Sequence, residues 1–218
     1  MTTPIFITGI GTDVGKTIVS AILTEALQAD YWKPVQAGFD DGTDNLRVEA
    51  LLSNSKTVVH TEAYKLALPA SPHIAARKEN ITVSLDVIAG EYTDIRAKST
   101  NTLIIEGAGG ILVPLNDNEF VADLIVKLQA KVILVSRNYL GSINHSLLTA
   151  ELCKQKGIDV IGWVFNEQYM HYEEEIVQWS GYPRIASIPR LEAIDKTVIQ
   201  KEAARIQQDL LAALEKET

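Results

Sequence analysis

Apolar residues in this chain gather in short blocks of strand length, and longer stretches with a helical repeat stand between them. "PIFIT", residues 4–8, is the first block. The stretch "KTIVSAILTEALQ" after it places Val19, Ile22, Leu23, Ala26 and Leu27 at helical spacing. "YWKPV", residues 31–35, reads as a second strand disturbed by Pro34, which has no N–H to give to a sheet. The polar loop "QAGFDDGTDN" leads into a helix from about Leu46 to Leu52. Residues 55–81 are the least regular part of the pattern, because the two prolines of "LPASPH" impose extended or turn geometry. A helix over Ser84–Lys98 follows, then buried strands "TLIIE" (102–106), "KVILVS" (131–136) and "DVIGWVFN" (159–166). Between them lie the helices "DLIVKLQ" and "SINHSLLTAELCKQKG", the second closed by Gly157. "PRIASIPRL" (183–191) holds a last short strand, and Ile199, Ala203, Ile206, Leu210 and Leu214 share one helical face that would dock on the core. Strands alternating with helices predict an α/β fold, a doubly wound and mostly parallel sheet with helices on both faces.

The loop after the first strand carries the most chemistry. The phosphate-loop pattern is Gly, four residues, then Gly-Lys-Ser/Thr. In "GIGTDVGKT" the first glycine falls on Ile10, with Gly9 and Gly11 on either side. A damaged nucleotide site, a chance run of small residues and a loop with one extra residue all fit that spelling. Its position between a first strand and a first helix favours the last, since backbone N–H groups at a helix N-terminus cradle phosphate oxygens. Lys16 would then neutralise the outer phosphates and the Thr17 hydroxyl would be a magnesium ligand. Magnesium needs carboxylates too. Glu106 ends a strand and is followed by Gly107, Gly109 and Gly110, which let the chain turn sharply beside a ligand. Asp40, Asp41 and Asp44 offer a second acid, although "DDGTDN" by itself is an ordinary acidic turn and fails the calcium-loop pattern. Lys33 and Asn166 also close strands, where doubly wound folds bind ligands, although surface lysines are common and an asparagine there can face a nucleobase or simply cap a turn.

Composition narrows the class without naming the reaction. With 218 residues, 46% of them hydrophobic, the chain supports one domain over 1–218 with a large core. A net charge of -8 with no dense Lys/Arg run argues against nucleic acid as a partner. Cys153 is the sole cysteine, which rules out an internal disulfide and points to a small packed residue in a reducing compartment. His60, His73, His145 and His171 lack metal-ligand spacing, and no Gly-x-Ser-x-Gly elbow is present. The apolar runs fall short of a membrane span, and Met1 passes straight into a strand-like segment, so a cytoplasmic location is expected.

Taken together, "FITGIGTDVGKT", "YWKPVQAG", "SPHIAA", "IIEGAGG", "LGSINHSLLTA" and "GWVFN" resemble, in order and nearly end to end, the dethiobiotin synthetases of biotin biosynthesis. That family's phosphate loop carries the extra residue. The resemblance implies a cyclo-ligase that closes a ureido ring on 7,8-diaminopelargonate with CO2 (bicarbonate), ATP and Mg2+, giving ADP and phosphate. It also implies a homodimer with each active site at the subunit interface. Carried onto this sequence, it makes Thr12, Asp13, Val14, Gly15, Lys16, Thr17 and Ile18 the phosphate loop and its first helical turn. Glu106, Gly107, Ala108 and Gly109 stand near the phosphates; Thr17, Asp44 and Glu106 match the metal ligands; Lys33 and Lys16 match the catalytic lysines. Asn166, Glu167, Pro189, Arg190 and Leu191 match the adenine end. Gly141, Ser142, Ile143 and Asn144 match the backbone cradle for the substrate carboxylate of the opposite subunit. At Ala37, where some relatives have serine, only backbone contact to substrate remains.

Two other classes share such a loop. Partition and septum-positioning ATPases usually place a second lysine near its start, where this chain has "GIGTD". Cobyrinate-type amidotransferases need a glutaminase with a nucleophilic cysteine, and Cys153 in a helix does not supply one.

Overall fold

A computed structural model of the chain describes residues 3–167 and 170–215. Its elements in chain order are β1 (Ile5–Gly9), α1 (Lys16–Leu27), β2 (Asp30–Trp32), β3 (Val35–Ala37), α2 (Asp44–Leu51), β4 (Val59–His60), β5 (Tyr64–Leu66), α3 (Pro72–Lys78), α4 (Leu85–Lys98), β6 (Leu103–Gly110), α5 (Val121–Lys127), β7 (Lys131–Arg137), α6 (Ser142–Gln155), β8 (Val160–Asn166), α7 (Glu173–Ser180), β9 (Arg184–Ile188) and α8 (Lys196–Glu215). Seven strands form one sheet in the order β4-β2-β6-β1-β7-β8-β9. Every pair in it is parallel, so all the strands end on one edge. This is the doubly wound architecture that the alternation of strands and helices predicts.

Two apolar layers hold it. On one face Ile22 and Leu23 of α1, Tyr31 of β2 and Ile199, Ile206 and Leu210 of α8 pack together, with Leu214 half-buried beside them. On the other face lie Phe6, Trp32, Ile88, Leu124, Trp163 and Phe165. Such side chains each contribute about 1.5–3 kcal/mol by leaving water, and alternation along β1 sends Phe6 to one layer and Ile5 and Ile7 to the other. Cys153 is buried in the second of these layers, where burial pushes its thiol up to about 12. No described helix is long and apolar enough to cross a membrane.

The departures from the sequence pattern occur around the site. The strand expected over 31–35 is two strands: β2 stays in the main sheet, and after Pro34 the chain moves to pair as β3 with β5. Pro34 contributes its carbonyl instead, which accepts from the Tyr64 N–H at 2.9 Å. Lys33 therefore sits where the chain changes sheets. Residues 55–81, expected to be irregular, contain β4, β5 and α3, the last opened by Pro72, whose missing N–H costs nothing at a first helical turn. The second helix begins at Asp44 because the Thr43 hydroxyl caps it, accepting from the Leu46 N–H at 3.3 Å. After Glu106 the glycines continue β6 to Gly110 and do not turn sharply; Gly110 lies opposite Gly9, where a Cβ would press on loop backbone at 3.3–3.4 Å. Helix α7 fills the connection between β8 and β9.

Candidate active site

The carboxyl ends of β1, β2, β6, β7 and β8 surround a cleft of about 860 Å³. Its floor is the loop Gly9–Gly15. Gly9 leaves the space that the Val14 side chain fills, since a Cβ there would meet Val14 Cγ2 at 2.5 Å, whereas Gly11 faces open space. Gly15 has φ +88 and lies beside Asn166. The first structural glycine of this loop is thus Gly9, one residue earlier than the standard spacing, in agreement with an enlarged loop. Lys16 opens α1, and its ammonium turns back to donate to the Gly11 carbonyl at 2.9 Å. Burial pushes Lys16 down to about 8, against the opposing pull of Glu106.

Beside the loop, two carboxylates meet one ammonium and one hydroxyl. Thr17 Oγ1 lies 3.0 Å from Asp44 Oδ1 and 3.0 Å from Glu106 Oε1. Lys33 Nζ donates to Asp44 Oδ2 and lies 3.4 Å from Glu106 Oε1. Burial pulls the Lys33 ammonium down, but Glu106 and Asp44 outweigh it and hold its pKa above the ordinary lysine value. Burial acts upward on Asp44, and Lys33 with the Thr17 hydroxyl brings it below the usual carboxylate range. Neighbours lock this cluster. Asn45 accepts from the Lys33 N–H at 3.1 Å and donates to the His60 carbonyl, Gln36 accepts from the Asp44 N–H at 3.2 Å, and the buried Tyr31 phenol donates to Glu106 Oε2 at 2.9 Å. Burial and the charges of Glu106 and Asp44 hold that phenol well above its ordinary pKa, so it remains a donor.

The donor set suits a hard divalent ion. One hydroxyl and two carboxylates meet at Thr17, an all-oxygen set of the kind hard cations take. Among the described residues no three His, Cys, Asp or Glu side chains gather as a metal cluster, so the set reaches three ligands only with the threonine.

At the far end, Asn166 donates to the Val14 carbonyl at 3.1 Å. Arg137 ends β7, lies opposite Asn166 in register, pairs with Glu167 at 3.0 Å and donates to the Asp13 carbonyl at 3.3 Å. The pattern of the sequence did not single out Arg137, nor Gln36, Arg47 or the Pro69–Pro72 wall. Only their position at strand and helix ends facing the cleft marks them. Of the expected residues, Thr12, Asp13, Gly15, Lys16, Thr17, Ile18, Lys33, Ala37, Asp44, Glu106, Ala108, Gly109, Asn166, Glu167 and Leu191 line the cleft. Val14 and Gly107 are buried beneath it, and Pro189 and Arg190 are exposed beyond it. Gly141, Ser142, Ile143 and Asn144 stand outside it at the start of α6. There the Ser142 hydroxyl is committed to the Tyr172 hydroxyl at 2.7 Å, and Gly141 takes φ +103 with open space around it.

A family model described as an AAA domain matches residues 3–198. The ATP-dependent dethiobiotin synthetase BioD of Cytophaga hutchinsonii is 50% identical over 92% of this chain and 95% of its own, and that of Christiangramia forsetii 44% identical over 94% and 96%. The chain belongs to the dethiobiotin synthetase family. Among solved structures, the cell division protein MinD of Aquifex aeolicus superposes with a TM-score of 0.58 at 14% identity, covering 100% of this chain and 98% of that one. The MinD of Pyrococcus horikoshii, complexed with Mg-ADP, gives 0.57 at 18%, covering 100% and 97%. At such identities the likeness is one of fold, a mostly parallel sheet covered by helices on both faces. The dethiobiotin synthetase loop of this chain has no lysine between Gly9 and Asp13, unlike the partition-type pattern.

Proposed function

We propose that this dethiobiotin synthetase closes the ureido ring of dethiobiotin from 7,8-diaminopelargonate, CO2 and ATP, in the cytoplasm, as a homodimer with active sites at the subunit interface. The observation that carries the site assignment is the meeting of two lysines, Lys16 and Lys33, with the oxygens of Thr17, Asp44 and Glu106 at one end of the cleft. One substrate amine takes up CO2 to give a carbamate and releases a proton. A carbamate oxygen attacks the γ-phosphorus and ADP leaves; the second amine then attacks the carbamoyl carbon and expels phosphate.

Little covalent help is required from the protein. Phosphoryl transfer depends on alignment and on fixed positive charge where negative charge spreads. Lys16 would leave the Gly11 carbonyl for the outer phosphates, and the amides of Thr12 to Thr17 would hold the remaining phosphate oxygens. Lys33 would face the γ-phosphate and steady the carbamate. Thr17, Asp44 and Glu106 would hold Mg2+, which supplies charge neutralisation across the phosphates. Asn166, Glu167 and Leu191 would receive the adenine, with Pro189 and Arg190 behind them. Ala37 offers only backbone to the diamine. The first turn of α6, Gly141 to Asn144, would accept the substrate carboxylate of the partner site, because a helix leaves N–H groups unpaired there. ADP release that requires both diaminopelargonate and bicarbonate is the expected result. Release stimulated by DNA, membranes or glutamine instead would overturn the reading.

A further inference from the structure

We infer that Tyr31 is a positioning residue for the divalent cation: its hydroxyl holds one oxygen of Glu106 so that the other is presented to the cleft. The inference rests on the reading of Glu106 as a metal ligand. Tyr31 and Ile104 are partners in the parallel register of β2 and β6, and Glu106 follows Ile104 on the same face of the sheet. Two residues along a strand is about 6.6 Å, the length a phenol ring spans, so the Tyr31 hydroxyl arrives level with the Glu106 carboxylate. The contact measures 2.9 Å to Oε2.

The two oxygens of Glu106 consequently have different surroundings. Oε2 faces inward to the phenol, and Oε1 faces Thr17 Oγ1 at 3.0 Å and Lys33 Nζ at 3.4 Å. Glu106 is 1% exposed, so no solvent competes for either oxygen. Packing alone does not account for the hydroxyl. Tyr31 is fully buried in the apolar layer under α1, a place a phenylalanine ring would fill equally, and burying a hydroxyl is unfavourable unless it is bonded. Its hydroxyl is bonded to the carboxylate. Partners that orient a metal ligand in this way typically set metal affinity within a factor of 10–100.

The test is a titration of Mg2+ or Mn2+ into protein saturated with a nonhydrolysable ATP analogue, read by calorimetry or by the Mn2+ resonance. Tyr31→Phe is expected to bind the cation about 10-fold or more weakly, and to raise the Mg2+ concentration for half-maximal activity without moving the KM for diaminopelargonate. A general loosening of the fold would move both. p-Aminophenylalanine at position 31, which restores a weaker donor on the same ring, should give intermediate affinity. Unchanged cation affinity in Tyr31→Phe, or native affinity in Tyr31→Phe equal to that of the aminophenylalanine protein, overturns the inference. Glu106→Gln is titrated alongside: if it too binds the cation normally, the assignment of Glu106 as a ligand fails, and the inference fails with it.

Discussion

Gly15 and Asn166 interlock: a Cβ on Gly15 would lie 2.0 Å from the Asn166 Nδ2, which donates to the Val14 carbonyl at 3.1 Å. The asparagine thus seats the loop Gly9–Gly15, and Gly15 also has φ +88, a conformation that disfavours any Cβ. Gly15→Ala is expected to weaken nucleotide binding by about 100-fold or more, from strain and collision combined. Gly11→Ala, with open space around it, should stay within a few-fold of native. Calorimetric titration with an ATP analogue separates the two; equal effects would show that the loop is not seated this way.

Lys16 and Lys33 are expected to be equally necessary for turnover and opposite in their effect on stability. Lys16→Gln or Lys33→Gln should lower kcat by about a hundredfold or more, the scale of losing one preorganised donor. Lys33→Gln also strands Asp44 and Glu106, whose cation it is, and should destabilise the metal-free protein by about 3 kcal/mol. Mg2+ should recover stability in that variant more than in the native protein. Lys16→Gln removes a cation that is poorly solvated and should leave thermal stability equal or higher. Denaturant titrations with and without Mg2+ check this ordering.

The depressed pKa of Lys16 predicts a proton uptake. In the free site burial brings its ammonium down to about 8 from an ordinary 10.5, and phosphates would hold the proton on. Nucleotide binding at pH 8.5–10 should therefore take up about one proton, and affinity should fall as pH rises through that window. The stability linkage runs the other way: between about 8 and 10.5 the unfolded chain binds the proton that the folded chain has lost, so Lys16 contributes stability rising with pH across that interval. Titrations in buffers of different ionisation heat count the proton, and Lys16→Gln should show none.

Arg137 ties the Asp13 carbonyl to Glu167 from a partly exposed position, with side-chain exposure of 42%. Exposed pairs of this kind contribute little singly, so Arg137→Ala should raise the KM for ATP about three- to tenfold and leave kcat within about twofold. Steady-state kinetics at saturating diamine provide the check.

Cross-subunit binding of the diamine carboxylate predicts complementation. Gly141→Asp places a carboxylate at the α6 N-terminus with nothing within 4 Å of its Cβ position, at the cost of backbone strain from φ +103, and should raise the diaminopelargonate KM at least tenfold. Mixing Gly141→Asp and Lys33→Gln subunits, assayed at a diamine concentration well below the raised KM, should restore up to about a quarter of native activity in a two-fold dimer. No recovery on mixing would place the cradle within one subunit or abolish it.

The chain's own order of apolar blocks determined the sequence of strands and helices, and the position of "GIGTDVGKT" between the first two elements marked the loop, because periodicity and glycine placement are local properties. Lys16 and Thr17 were legible for the same reason. Lys33, Asp44 and Glu106 come together only in three dimensions: β2 and β6 are neighbours in the sheet though 70-odd residues apart, and Pro34 diverts the chain just where Lys33 must stop. Periodicity tells which face of a strand is buried but carries no information on which strand lies beside it. That is why Tyr31 reads as one more buried aromatic in sequence, while the folded chain sets its hydroxyl against Glu106. Arg137, at the end of an ordinary apolar run, likewise acquires its place from the register of β7 with β8.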